Sequence, residues 1–436
     1  MQTMDDTITT WLTANYQAIW TVLIACVCSV PCALLGCFLL LKRMSMLGDA
    51  IGHGVLPGIA MAFLLTGQIT SFAILIGAMV FGVLTAVLSE SLASSGSVSE
   101  DSSLGVVFTS LFALGLVIIS FLRYVDLDIN CVFMGNLVLA PSNTIEILGW
   151  SIPEAFPTML GALALTAIFL VVCWKELKIV AFDPALAKSM GFSPRVVNYL
   201  LIALIAGTTV SAFEAVGLIL VLAVLIAPAA TAHLLTDRLG PMLGLSTLFA
   251  LSASVLGYLL HNVGTVALDI SGMIAVVLGM QFLVVVFVAP RHGLAAKWWR
   301  RLQLSLRIGA EDILAALFRA EEAGVPTYSL ASKEHGIPGW VMWLAHRDLV
   351  RRGLIDTSAD GLPKLTEKGR RLAQYVVRSH RLWESFAGAV LDLPPDHVHA
   401  AAALVEHYIG PELQDEIATT LQEPPTDPHG KSIPPK

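Results

Sequence analysis

Charge is scarce in this sequence. Asp, Glu, Lys and Arg make up 14% of its 436 residues against 56% hydrophobic ones, and the mean hydropathy is +0.75. Soluble domains carry about a quarter charged residues, so an ordinary soluble fold is excluded for the chain as a whole. Cysteine is scarce too: there are six, five of them inside apolar runs and none in Cys-x-x-Cys spacing. That argues against a disulfide framework and a zinc knuckle. No Gly-x-x-x-x-Gly-Lys-Ser/Thr loop cradles phosphate, and no His-Glu-x-x-His motif supports an intramembrane metalloprotease. The acidic start, with Asp5 and Asp6 and no basic segment, makes a cleavable signal peptide unexpected.

The charges that exist are unevenly placed. Residues 1–303 hold 12 Lys/Arg and 15 Asp/Glu, while residues 304–436 hold 14 and 18 in less than half the length. A membrane region is therefore expected before a soluble one. Apolar runs at 18–41, 46–66, 70–92, 104–121, 156–173, 197–213, 214–234, 240–260 and 271–289 predict about nine spans. Glu214 interrupts the 197–234 pair. Lys42 and Arg43 follow the first span; Lys175, Lys178, Lys188 and Arg195 the fifth; Arg238 the seventh; Arg291, Lys297, Arg300 and Arg301 the ninth. These eleven share one side and leave only Arg123 opposite. The positive-inside rule then puts the amino terminus outside and the C-terminal region in the cytoplasm.

The first region is organised around Met44-Ser-Met-Leu-Gly-Asp-Ala-Ile-Gly-His-Gly-Val-Leu-Pro-Gly58. Asp49 and His53 are one helical turn apart, among glycines and Pro57 that permit close approach and bending. Ionisable groups at membrane depth face a pathway or a bundle interior. Carboxylate plus imidazole suits manganese, iron or zinc, and reads equally as an ion pair at a helix start. The neighbours turn the reading toward transport. The run from Arg43 to Gly58, with Leu104-Gly-Val-Val-Phe-Thr-Ser-Leu-Phe-Ala-Leu-Gly115, the Ala215–Ala232 run and Ala289-Pro-Arg-His-Gly293, resembles the metal-ion ABC permeases. The match covers roughly the first 295 residues. The resemblance implies a pore subunit in the bacterial plasma membrane, with a separate ATPase chain, an extracytoplasmic metal-binding protein and a second permease chain, identical or related.

The segment Val180–Arg195 falls on the cytoplasmic side. Asp183 and Pro184 open a short helix as N-cap and first residue, and Gly191 closes it. A plain connector would look the same; by resemblance it is the coupling helix that docks on the ATPase, with Asp183, Ala187, Lys188 and Gly191 shaping it. Glu90, Glu214, His233, His261 and Asp269 read either as pathway residues or as satisfied interhelical partners. Asp126 and Asp128 lie near Cys131 where relatives often carry histidines, and no metal role is carried there.

Residues 294–308 form a basic, Trp298- and Trp299-bearing stretch that reads as an interfacial helix on anionic lipid. From 309 to 366 the pattern predicts a winged helix: a helix at 310–323, a helix-turn-helix over 328–335 and 338–352, and a hairpin at 354–365 tipped by Asp360-Gly361. Helices at 367–390 and 396–409 follow in the last segment, 367–436. The expected fold class is an all-α polytopic membrane protein followed by a mainly α winged-helix cytoplasmic domain.

His380 and Glu384 share a helix face; Glu406 and His407 are adjacent, and His399 precedes Glu406 by seven residues. Histidine and carboxylate without thiolate fits manganese, iron(II) or zinc, against a plain dimerisation core as the alternative. The runs Leu365–Ala373 and Arg378–Glu384, the pairs Val398-His399 and Glu406-His407, and Pro428-His-Gly-Lys-Ser-Ile-Pro434 resemble the diphtheria-toxin-repressor-like metalloregulators over about 120 residues. By that resemblance His380, Glu384 and His399 form one metal site. Glu406 and His407 form another with Asp312, where Ala403 stands in place of a usual Cys or Glu ligand. DNA binding carries over poorly. Residues 309–436 hold 13 basic and 18 acidic side chains, and the recognition helix offers Gly339, Trp340, Met342 and Trp343 to the bases. The reading is a metal-ion ABC permease with a fused metal-sensing domain; the rival is a membrane-tethered, metal-dependent transcription regulator.

Overall fold

The computed structural model describes residues 15–66, 71–94, 99–121, 137–147, 150–261, 268–291, 293–324, 337–357 and 362–436. Asp126, Asp128, Cys131, the expected helix at 328–335 and the Asp360-Gly361 tip lie outside the described residues. The chain divides into two units, Met1–Leu294 and Ala295–Lys436.

In the first unit, nine segments among the described residues are long and apolar enough to cross a membrane. They are α1 (Tyr16–Leu41), the pair α2 (Ser45–Gly54) and α3 (Leu56–Thr66), α4 (Ser71–Ser94), α5 (Glu100–Phe121), α6 (Ala155–Val172), α9 (Pro194–Val216), α10 (Leu218–Leu235), α11 (Leu239–Leu260) and α12 (Ile270–Val288). Between α6 and α9 lie α7 (Trp174–Phe182) and α8 (Pro184–Ser189). Before α6, strands β1 (Thr144–Ile147) and β2 (Trp150–Pro153) pair antiparallel. This is the multi-pass α-helical architecture that the apolar runs predict.

α1 is the innermost helix: two-thirds of its best apolar window, 67%, is buried, against 17% for α5 and α6. It packs on α10 and α11 through small groups, as helices in lipid must when apolar side chains alone give no net drive. A Cβ on Gly36 would fall 1.7 Å from the Leu225 carbonyl oxygen, so the α1–α10 crossing requires glycine there. Ser29 and Ser254 share a 3.0 Å hydroxyl bond, and the Ser246 hydroxyl donates to the Ala33 carbonyl at 3.1 Å.

Two boundaries differ from the sequence reading. The 46–66 run is two helices, because Pro57 has no N–H to offer the His53 carbonyl that an unbroken helix would bond. The 197–234 run divides at Gly217, whose φ of +81° reverses the helical path, rather than at Glu214. Among the charges in or at the edge of the spans, Asp269 is an N-cap, accepting from the Gly272 amide at 2.6 Å, and Glu90 accepts the Tyr199 hydroxyl at 2.8 Å; both are exposed. His261 Nδ1 bonds the Tyr258 carbonyl one turn back.

The second unit starts on α13 (Leu294–Ala323), one continuous helix where an interfacial helix and a separate first domain helix were expected. α14 (Gly339–Arg351) follows, then strands β3 (Ile355–Thr357) and β4 (Pro363–Leu365), paired with Ile355 opposite Leu365. α15 (Glu367–Ala389) begins at a Thr366 hydroxyl cap on the Gly369 amide, 3.2 Å away. Ile313, Leu314, Leu317, Met342, Leu349, Ile355, Ala373 and Val377 form the core that joins α13, α14, the hairpin and α15. A second, smaller core of Leu382, Ile409, Ile417 and Ala418 holds α16 (Pro395–Val405) and α17 (Pro411–Thr420) near α15. α16 ends at Val405, short of the expected 409, and Glu406–Tyr408 tightens into a 3-10 turn.

Candidate functional site

In the first unit, α2 places the His53 Nε2 3.6 Å from an Asp49 carboxylate oxygen. Phe108 and Phe112 of α5 flank the imidazole, with ring centroids at 5.9 and 5.4 Å. The Asp49 side chain is 44% exposed although its segment is apolar enough to cross a bilayer. A carboxylate in that position needs water, an ion or another chain against it. Two donor atoms bound at about 2.1–2.2 Å to one cation stand about 3.0–3.7 Å apart, so the pair fits a shared divalent ion.

α8 is capped as its sequence predicts: Asp183 accepts from the Ala185 and Leu186 amides at 3.0 and 2.9 Å, and Gly191 leaves the helix with φ +86°. Ala187 is fully buried. Lys188 is exposed, and so are Phe182, Leu186 and Met190, an apolar knob that the sequence reading passed over.

The second unit gathers the other candidates. His380 Nε2, Glu384 Oε1 and His399 Nδ1 stand 3.0, 3.0 and 2.8 Å from one another. Ligand bonds of about 2.1–2.2 Å at right angles put neighbouring donor atoms about 3.0 Å apart, so these three match one face of an octahedron. His380 Nδ1 donates to Glu406 Oε2 at 2.5 Å, which leaves Nε2 as the nitrogen that would give up its proton to a cation. In the second group His407 Nε2 lies 3.2 Å from Asp312 Oδ1 and 3.6 Å from Glu406 Oε1. His407 Nδ1 donates to Glu311 Oε2 at 2.7 Å. Asp312, His380, Glu384, Glu406 and His407 are all buried, while the His399 side chain stays half exposed. Ala403 adds no ligand atom.

Without a cation, protons hold these groups together. Burial opposes charge on Glu384, but hydrogen bonds from His380 and His399 bring its carboxyl down to about 2. Burial likewise opposes charge on His407, yet Asp312 and Glu311 hold its imidazole up at about 9. His380 is raised by Glu384 and Glu406 against the same burial effect. A divalent cation supplies that positive charge at one point, and both donor sets, imidazole and carboxylate without thiolate, fit manganese, iron(II) or zinc.

Residues 15–289 match the family model of the ABC 3 transport family. The chain belongs to that family. Among relatives of this ABC 3 chain, the manganese transport system membrane protein MntD of Bacillus subtilis (strain 168) is 40% identical over 287 residues, 65% of this chain and 96% of its own. The zinc transport system membrane protein TroD of Treponema pallidum (strain Nichols) is 36% identical over 362 residues, 81% of this chain and 97% of its own. The solved structure of PsaBC from Streptococcus pneumoniae in complex with Fab aligns with TM-score 0.55 at 31% identity, over 66% of this chain and 97% of that one. Residues 366–435 match the metal binding and dimerisation domain of the iron dependent repressors. The chain is thus a multi-pass ABC 3 membrane subunit carrying a repressor-type C-terminal domain.

This ABC 3 chain has further polar groups at the C-terminal cluster that sequence reasoning missed. Glu311 precedes Asp312 and takes the outer nitrogen of His407. In the final turn, Asp427 accepts from the His429 and Lys431 amides, which brings His429 Nδ1 to 3.5 Å from Glu384 Oε2. The signal was present in Asp427-Pro-His-Gly430, a turn that carries an acid and an imidazole. Buried Arg381 ties that turn to α13 through Glu322 at 2.5 Å and the Ser432 carbonyl at 2.5 Å.

Proposed function

We propose that this chain is the permease subunit of an ABC importer for a divalent transition metal, manganese foremost, and that its C-terminal unit senses cytoplasmic metal and regulates transport. The relatives' names span manganese and zinc, and iron belongs to the same ligand class. The observation that carries the reading is Asp49 and His53, 3.6 Å apart on a helix broken by Pro57, inside a family permease fold. Their half-exposed face is where a second permease chain, identical or related, would complete the pathway. An extracytoplasmic metal-binding protein delivers the ion on one side. A separate ATPase chain drives transport from the other, against α8 and its exposed Leu186 and Met190. The basic residues favour an outside amino terminus and a cytoplasmic C-terminal unit.

In the C-terminal unit, His380, Glu384 and His399 would hold one regulatory ion, and Asp312, Glu406 and His407 a second. A cation in the first set would crosslink α15 to α16, and one in the second would join α13 to the 3-10 turn Glu406–Tyr408. The rival reading, a membrane-tethered regulator of transcription, has little support from an outer α14 face of tryptophan and arginine on an acidic unit.

Uptake of radiolabelled manganese tests the transport reading. Asp49→Asn and His53→Ala are each expected to lower uptake by about tenfold or more, with membrane insertion and ATPase association unchanged. Wild-type uptake in either variant overturns the assignment.

A further inference from the structure

α14 sits where a winged helix places its recognition helix, but its outer face has another chemistry. At about 100° per residue, Trp340, Trp343, Arg347, Val350 and Arg351 fall on one face. Val341, Met342, Ala345 and Leu349 fall on the other and are buried. Trp340 and Trp343 are 53% and 58% exposed, and the Arg347 guanidinium lies 5.4 Å over the Trp343 ring. Beside this face runs a groove of about 700 Å³ between α13, α14 and α15. Its lining includes Leu306, Leu344 and Leu372, and four arginines, Arg307, Arg347, Arg351 and Arg352, outnumber the acids Glu311 and Asp348, the latter paired to Arg352 at 2.8 Å. Residues 309–436 are otherwise acidic, 18 acids against 13 bases, so this cationic, aromatic patch is a local exception.

We propose that the outer face of α14 and its groove dock on anionic phospholipid headgroups and seat the C-terminal unit on the bilayer. Indole rings favour the headgroup level, where an apolar body meets a polar edge. Guanidinium groups match lipid phosphate through paired N–H donors. Base reading in a groove needs side-chain donors and acceptors at the leading turn of the helix; Gly339, Trp340 and Trp343 bring two indole N–H groups and nothing else. The occupant is also at hand. The unit is joined covalently to the apolar spans of the first unit, which holds a bilayer at high effective concentration around it. The first turns of α13 repeat the chemistry, with Trp298 and Trp299 exposed beside Lys297, Arg300 and Arg301. The membrane bundle serves here only as a tether.

The test is hydrogen–deuterium exchange of the full chain in nanodiscs of phosphatidylcholine alone or mixed with phosphatidylglycerol. Amides of Gly339–Arg351 are expected to exchange about tenfold more slowly in the anionic discs. Raising salt is expected to shrink the difference. Trp340→Ser with Trp343→Ser, and separately Arg347→Gln with Arg351→Gln, should each return the segment to its rate in phosphatidylcholine. All four side chains are exposed, and an unchanged melting temperature checks that the fold is intact. Equal exchange in both lipids overturns the proposal. So does protection that appears only when the ATPase chain is added, or only with duplex DNA.

Discussion

His407 and Glu384 set opposite pH limits on the metal-free C-terminal unit. His407 is held at about 9 in the folded chain against an ordinary 6.5, so the native state binds its proton more tightly than the unfolded one. Its stabilisation is complete below about 6.5 and is lost as pH rises through about 9. Glu384, at about 2 against an ordinary 4.5, stabilises above 4.5 and ceases to as pH falls through about 2. Calorimetry of metal-free protein is expected to show the C-terminal transition falling in temperature between about pH 6.5 and 9, and His407→Gln to flatten that fall. Added manganese should restore stability at the alkaline end, since the cation takes over the proton's charge. A wild-type transition flat across this range would contradict the assignment. At this scale the sequence was legible where helical spacing applied, as for His380 with Glu384 and Asp49 with His53. Spacing alone did not bring Glu311 and His429 to the cluster, because both reach it through tertiary contact.

Among the elements, α8 shows what spacing can and cannot tell. Its cap and its glycine exit were readable because Asp183, Pro184 and Gly191 act on their own backbone neighbours. Which face is presented was not readable, because burial of Ala187 depends on distant packing. Ala187→Pro would therefore test the fold of the helix, whereas Leu186→Glu with Met190→Glu tests its contact. The double variant is expected to lower transport by about tenfold or more and to weaken co-purification of the ATPase, with insertion unchanged. Retained co-purification would place the ATPase contact elsewhere. The breaks at Pro57 and Gly217 teach the same distinction: the apolar runs gave span number and length, while backbone chemistry within the runs decides where each helix ends.

For the whole molecule, joining a permease to a metal-sensing unit implies feedback on flux. A tenfold change in uptake needs a differential of only about 1.4 kcal/mol between transport-competent and restrained states, which one metal site can supply. Truncation after Gly293, or His380→Ala with Glu384→Ala, is expected to leave uptake intact at low internal metal. Either change should relieve inhibition by about tenfold at high internal metal, measured in proteoliposomes of defined internal manganese. Identical metal dependence in wild type and truncation would leave the unit a role in assembly only.

Glu406 gives this feedback a shape. One of its carboxylate oxygens holds the back of His380 at 2.5 Å, and the other faces His407 at 3.6 Å. A single carboxylate thus belongs to the second group and braces a ligand of the first, and fixing it for one ion removes freedom that the next ion must otherwise quench. With an ion in each group, occupancy would rise over a narrower concentration range than a single site allows, each ion strengthening the other by an equal factor. A transporter restrained in this way would run near full rate until metal around the C-terminal unit crosses a threshold, and then stop over a small further rise.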